Sequence, residues 1–215
     1  MEDIVIYGAG GMAREVAELI EAINEERPTW NILGFLDDFR EDCGETVDGY
    51  RILGGYGCLK EGIVPENLVL AVGDPSARKI LWERVKNLRF GFPALVHPDA
   101  RISKRACIGE GSIVSAGCRI STGAVIGRQV FLNFNSVVGH DASIGDFSSC
   151  LVNSVIAGGA SLGAGCLLGS NSVVMERRRL GASVKVGMGA VADQDIPDGY
   201  VVMSRPSRGM YFGEK

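Results

Sequence analysis

From residue 102 onward the hydrophobic positions fall on a beat of six. Ile102, Ile108, Val114, Ile120, Ile126, Leu132, Val138, Ile144, Cys150, Ile156, Leu162, Leu168, Val174, Leu180, Val186 and Ala192 are all apolar, and Val96 extends the series backward. The residue after each is often glycine, as at Gly109, Gly127, Gly145 and Gly163, and the fourth after is usually small, as at Cys118, Ala124, Ser136 and Ala142. This period predicts a solenoid of short strands and tight turns, with each apolar residue pointing into a narrow interior and small residues at its corners. Three hexads make one coil of a triangular prism, so residues 102 to 192 supply about five coils. Residues one coil apart then lie above one another at the strand spacing of about 4.8 Å.

The first ninety residues carry a different pattern. Ile4 to Tyr7 form an apolar run, Gly8-Ala9-Gly10-Gly11 a turn, and Met12, Val16, Leu19, Ile20 and Ile23 one face of a helix whose other face carries Glu15, Glu18, Glu21 and Glu25. A second strand, ILGFLDD, ends in Asp37-Asp38. A third, Leu68 to Val72, leads through GDPSARK into a helix from about Pro75 to Asn87. The expectation is three or four strands in an α/β unit.

Glycines in such a turn let the backbone approach a phosphate, the helix N-terminus offers free N–H groups, and a carboxylate after the second strand can hold a ribose or base edge. Only one mononucleotide half fits in this length, so a mononucleotide is a more natural ligand than NAD. The alternative is a tight turn in an α/β unit that binds nothing.

Composition narrows the partners. A net charge of −4 and a pI near 5.3 provide no field to recruit nucleic acid or an anionic membrane. No apolar run approaches the roughly 18 residues that span a bilayer, and MEDIVIYGAGG lacks the basic start of a signal peptide, so a soluble, cytoplasmic protein is expected. The six cysteines form no C-x-x-C pair and read as reduced packing residues rather than a disulfide or metal framework.

His140 is one of two histidines. With Asp141 it occupies the third and fourth places of its hexad, on an outward turn. Gly158 and Gly159 lie one coil above, Thr122 and Gly123 one coil below. Neighbours with so little side chain leave room for another molecule, although a turn histidine can equally be solvated or face another subunit. His97 is more than two coils away, so no histidine zinc site is expected.

The repeat resembles the left-handed parallel β-helix of the hexapeptide acyltransferases, and the hand comes from that resemblance. A small mononucleotide-binding domain followed by this β-helix is similar to the bacterial sugar acyltransferases that N-acetylate nucleotide-linked amino sugars or O-acetylate sialic acid. YGAGG, FLDD, AVGDPSAR, VHPDARIS, GHDASIGDF and SRPSR carry the resemblance along essentially the whole chain. It implies a nucleotide-sugar-binding domain over residues 1–92 and an acyltransferase domain over 93–215.

By that resemblance His140 is the general base, Asp141 orients it, and the Gly158 N–H faces the thioester oxygen. The nucleotide sugar would meet Gly8, Gly10, Gly11, Asp37, Asp38, Gly73, Asp74 and Arg78, with Asn133 lining the acceptor site. Acetyl-CoA would meet Ser149, Gly158, Ser170, Met188 and Arg208 in the groove between two β-helices of a homotrimer. The implied reaction is N-acetylation of a nucleotide-linked amino sugar for surface glycans. O-acetylation is the close alternative, and a non-catalytic nucleotide-binding trimer the alternative of another class.

The chain departs from the family pattern at three positions. Met12 stands where a histidine is common, Gly139 where an acidic or amide residue precedes the base, and Ser149 where a second histidine is usual. The run VMERRRLGA also breaks the repeat. Arg178 falls at a small-residue position, and a charged group inside an apolar prism predicts an outward bulge or neutralisation by Glu176. Arg177, two coils above Asp141, is either a contact to coenzyme A phosphates or part of a solvated or subunit-facing charge cluster.

Overall fold

The computed structural model describes residues 1–40, 44–61 and 65–204. The first part is a five-strand sheet in the order β3-β4-β2-β1-β5, formed by β1 (Glu2–Tyr7), β2 (Trp30–Leu36), β3 (Thr46–Val47), β4 (Tyr50–Gly54) and β5 (Asn67–Leu70). β1 runs parallel to β2 and β5, and β2 parallel to β4. β3 and β4 form the antiparallel edge hairpin. That hairpin corrects the expected three or four strands. It turns through Asp48 and Gly49, both with positive φ, which is the Asp-Gly chemistry a two-residue hairpin turn requires.

Helix α1 (Gly11–Glu26) buries Ala13, Val16, Ala17, Leu19 and Ile20, the residues its 3.6 period puts on one face. A four-residue helix, α2, spans Cys58–Glu61. Helix α3 (Pro75–Val85) starts with Pro75 in its first turn and with Asp74 as N-cap, the carboxylate accepting from the Ala77 N–H.

Beyond residue 94 the chain winds through two-residue strands gathered in three parallel sheets of six, five and seven strands. They make about six coils rather than five, because Leu95–Val96 adds a rung below and Val201–Val202 one above. Arg119 pairs with Val137 and Val137 with Val155, so residues 18 apart do stack. The last coil is shorter: Leu180 pairs with Ile196 and Lys185 with Val201, 16 residues on. The beat therefore slips after Ala192, and Ile196 and Val202 take over the interior.

The interior holds the expected hexad residues, with Cys118, Ala124, Ala142, Ala160, Cys166 and Ala190 at the corners. Burial pushes the Cys118 thiol up to about 11, so it stays protonated and inert. Two cysteine expectations need correction or limits: Cys107 is exposed because it precedes its hexad's apolar residue and points outward, and Cys43 lies outside the described residues. Ser112 Oγ reaches the Gly127 carbonyl at 2.8 Å and Ser136 Oγ that of Asn133 at 2.7 Å, which makes their burial tolerable, whereas the buried Ser172 Oγ has no partner among the described residues.

Arg178 produces no bulge. Ser161 pairs with Arg179 and Leu162 with Leu180 in unbroken register. Its backbone bonds normally, and the half-buried side chain keeps Nε unpartnered among the described residues rather than pairing with Glu176.

The α/β unit sits on the outer face of the seven-strand sheet. Leu95, Ile113 and Phe131 are the outward residues of successive rungs, yet all are buried, because they share a core with Ile4, Ile6, Val16 and Ile20. Trp82 packs edge-on against Phe92 at 4.7 Å and against Phe147 at 6.3 Å. Edge-to-face rings at these separations add to the area they bury, so the two parts share cores at two contacts.

Candidate active site

The structure forms two separate centres. The first surrounds the glycine turn. Gly8 has φ +118, and a Cβ there would lie 2.7 Å from the Ala71 carbonyl oxygen, so only glycine lets β1 pass this close to β5. Asp37 ties the turn to β2: one carboxylate oxygen accepts from the Ala9 N–H at 3.0 Å, the other from the Phe39 N–H at 2.9 Å. Gly10 caps α1 without a side chain, leaving the Gly11 and Met12 N–H groups open to an anion, while the Ala13 N–H bonds the Gly10 carbonyl.

Asp38 accepts from the Tyr7 hydroxyl at 2.9 Å and the Tyr56 N–H at 2.8 Å, and pairs with Arg84 at 2.7 Å. Burial opposes its ionisation, but the bonds from Tyr56, Arg84 and Tyr7 outweigh it and hold the carboxyl below its usual range. Burial, and then the bond to Asp38, push the Tyr7 phenol up. Arg84 also lies over the Tyr56 ring at 4.4 Å.

A cavity of about 320 Å³ opens here, lined by Gly8, Asp37, Asp38, Val72, Ile80 and Arg84 among others. Its apolar walls and few polar groups suit a small organic ligand. Sequence reasoning missed Tyr7, Ile80, Leu81 and Arg84. The signal was present in Ala77, Ile80, Leu81 and Arg84 at helical spacing, with Ile80 left 65% exposed at the mouth.

Arg78 does not line this cavity, which corrects its assignment to ligand contact. It is 1% exposed. Its guanidinium is spent on the carbonyls of Gln129, Val72, Gly73, Phe147 and Ser148 and on Ser149 Oγ. Ser149 is likewise fully buried beneath the α/β unit and donates to the Gly73 carbonyl at 2.7 Å. It cannot touch a coenzyme, because it faces the domain contact. Gly73 sits against Met12, whose Sδ is 3.8 Å from where its Cβ would be.

The second centre is the corner between the six- and five-strand sheets. His140 and Asp141 follow the strand Val137–Val138, and the turn places Asp141 at φ 56, a conformation Asp tolerates. His140 Nδ1 and Asp141 Oδ2 are 3.0 Å apart, with both side chains largely exposed. The other ring nitrogen faces the next coil, where a Cβ on Gly158 would lie 2.5 Å from Nε2. The neighbouring Gly159 N–H donates to the His140 carbonyl, whereas the Gly158 N–H has no acceptor among the described residues. A groove lined by Arg101, Arg119, Thr122 and Val137 runs up to His140.

Ser170 and Met188 stack on the corner between the seven- and six-strand sheets, where Met188 is 70% exposed. Asn133 lies two coils below Ser170's level on that same corner, its Oδ1 accepting from the Phe134 N–H at 2.7 Å. Arg208 lies outside the described residues. Arg177 stacks over Gly159, its Cγ 3.4 Å from the Cβ position there. No cluster of three His, Cys, Asp or Glu side chains suited to a metal occurs among the described residues. No described helix is long and apolar enough to cross a membrane.

The chain therefore joins a small α/β unit with a glycine turn to a hexapeptide-repeat solenoid that carries an exposed histidine and carboxylate at one corner. Residues 3–85 match the family described as the PglD N-terminal domain. The UDP-N-acetylbacillosamine N-acetyltransferase of Bacillus subtilis (strain 168) is 34% identical over 119 residues, 54% of this chain and 52% of that protein. The match thus spans about half the length of the curated relative.

Among solved structures, the acetyltransferase domain of PglB from Neisseria gonorrhoeae FA1090 superposes with a TM-score of 0.87 at 29% identity, covering 98% of this chain and 100% of that one. Perosamine N-acetyltransferase from Caulobacter crescentus, solved as a histidine-to-asparagine variant with CoA and GDP-perosamine, superposes with a TM-score of 0.85 at 28% identity, covering 95% and 98%. Over residues 3–85 the chain is thus similar to the PglD N-terminal domain, and along nearly its whole length to these two acetyltransferase structures.

Proposed function

We propose that this protein transfers the acetyl group of acetyl-CoA to the amine of a nucleotide-linked amino sugar, with His140 as general base. The observation that carries the reading is the pairing of a carboxylate-held imidazole with an unbonded Gly158 N–H one coil away. Similarity to proteins solved with acetyl coenzyme A, and with CoA and GDP-perosamine, supports the same substrates here.

With Nδ1–H donated to Asp141, Nε2 is left as the proton acceptor. It takes a proton as the neutral amine attacks the thioester carbonyl. The Gly158 N–H donates to the oxyanion that forms. Attack makes the C–N bond, collapse of the tetrahedral intermediate restores the carbonyl and breaks the C–S bond, and the imidazolium returns its proton to the departing thiolate.

The nucleotide sugar would lie in the cavity of Gly8, Asp37 and Asp38, its diphosphate toward Gly10, Gly11, Gly73 and Asp74. Acetyl-CoA would run past Gly158, Ser170 and Met188. These groups cannot meet within one chain. The α/β unit covers the seven-strand sheet, and His140 occupies the corner opposite that face. A neighbouring copy must bring its glycine-turn side to this corner, and a three-fold ring does so for every copy at once. The outward ladder of Val137, Val155, Val173 and Val191 on the six-strand sheet gives such a ring an apolar contact. We further infer a domain division between Phe92 and Pro93 and a cytoplasmic reaction, in keeping with the proposed co-substrates.

The test is acetyl transfer, followed by CoA release, to a panel of UDP- and GDP-linked amino sugars. Turnover with at least one amine and none with its hydroxyl counterpart supports the reading. Absence of transfer to every amine, despite binding of acetyl-CoA, sinks it.

A further inference from the structure

Arg78 is a fully buried cation with no ion-pair partner among the described residues. Its nearest carboxylate in sequence, Asp74, is committed to capping α3 through the Ala77 N–H. Such a group is costly unless something offsets it. Its bonds to Gln129, Phe147, Ser148 and Ser149 anchor it to the solenoid. Its remaining bonds go to the carbonyl oxygens of Val72 and Gly73.

Those two carbonyls belong to the peptide units whose N–H groups are on Gly73 and Asp74. No peptide bond among the described residues is cis, and in a trans peptide the N–H points opposite to the C=O. Both N–H groups are therefore aimed away from the guanidinium, and neither has an acceptor among the described residues. Gly73 meets Met12 at the start of α1, and Val72 lines the cavity.

We propose that Arg78 is a positioning residue for the acceptor's diphosphate: from the far side of the Val72–Gly73–Asp74 peptides it orients and polarises two backbone N–H groups toward the phosphates, opposite the N-terminus of α1. This rests on the nucleotide-sugar reading above. The phosphates would then be gripped from two sides, by helix N–H groups and by peptides whose dipoles a buried charge reinforces. Arg78 itself never touches the ligand. Ser149 keeps the guanidinium in register with Gly73, since it bonds to both.

The experiment compares binding of UDP and GDP with binding of uridine and guanosine, by calorimetry and ligand-observed NMR, in the full chain and in Arg78→Met. Loss of the charge should weaken the diphosphates about tenfold or more while nucleoside affinity changes less than about twofold, with acetyl-CoA affinity unchanged. Arg78→Lys should recover part of the diphosphate affinity. Gly73→Pro removes one N–H but keeps both carbonyls, and should show the same selective loss even if Arg78→Met does not fold.

Equal weakening of nucleoside and diphosphate, or no weakening in either variant, overturns the inference and leaves Arg78 a domain anchor. Failure of the unaltered protein to bind any of the diphosphates overturns the nucleotide-sugar reading itself, and this inference with it.

Discussion

The imidazole of His140 rests on Gly158: a Cβ at residue 158 would stand 2.5 Å from Nε2. The nitrogen that would accept the proton and the N–H that would hold the oxyanion are thus adjacent rungs of one corner. Gly158→Ala forces the ring aside without disturbing the solenoid interior, since the added methyl points outward. The expected result is a fall in kcat of about a hundredfold with an unchanged thermal midpoint, measured by steady-state kinetics beside a melting curve.

Asp141 has one bond to His140 and a left-handed backbone that asparagine also tolerates. Asp141→Asn should fold normally, lower kcat on the order of tenfold, and leave both KM values in place, because it alters the base rather than substrate binding. A rise in KM with kcat unchanged would instead assign Asp141 to substrate contact.

The carboxyl of Asp38 is held below its ordinary value, so its bonds stabilise the fold above the unfolded value of about 3.9 and that contribution is lost as pH falls through the lower folded value. Asp38→Asn should lower the melting temperature at pH 7 and reduce the further loss seen between about pH 5 and pH 3. Melting curves across that range check the sign.

The valine ladder of the six-strand sheet predicts assembly. Val173→Arg places a charge in the middle of Val155, Val173 and Val191. Light scattering should report a trimer for the parent and smaller species for the variant, with transfer lost along with the trimer while UDP or GDP binding persists.

Much of this architecture was legible because the hexad series from Ile102 to Ala192 marks the inward side of every strand. The same template hides the outward side. Leu95, Ile113 and Phe131 form an equally regular apolar ladder, but one residue earlier in each third hexad, and so the seat of the α/β unit went unread. Ser149 continues that ladder, which is why the position lies under the domain contact and not beside His140. Its departure from the family's histidine removes nothing from the His140 corner of the same chain.

Arg78 shows a second limit. Three of its six partners are backbone carbonyls 51 to 70 residues away, and carbonyls leave no mark on a sequence, so an arginine in the first turn of a helix that follows Gly73-Asp74 reads as a ligand contact. The slip of two residues after Ala192 has a local cause: Asp195 accepts from the Arg179 N–H, replacing a rung that the repeat would have supplied. The hairpin through Asp48-Gly49, by contrast, carried its signal in plain residues.

The central claim is that His140 removes a proton from the acceptor, and the most direct measurement is turnover of His140→Asn with an accepted nucleotide amino sugar, alongside its affinities for both substrates. The expected result is a loss in kcat of about 10² to 10⁴, with both affinities and the assembly retained. Near-native turnover in that variant would contradict it and move the chemistry away from this corner.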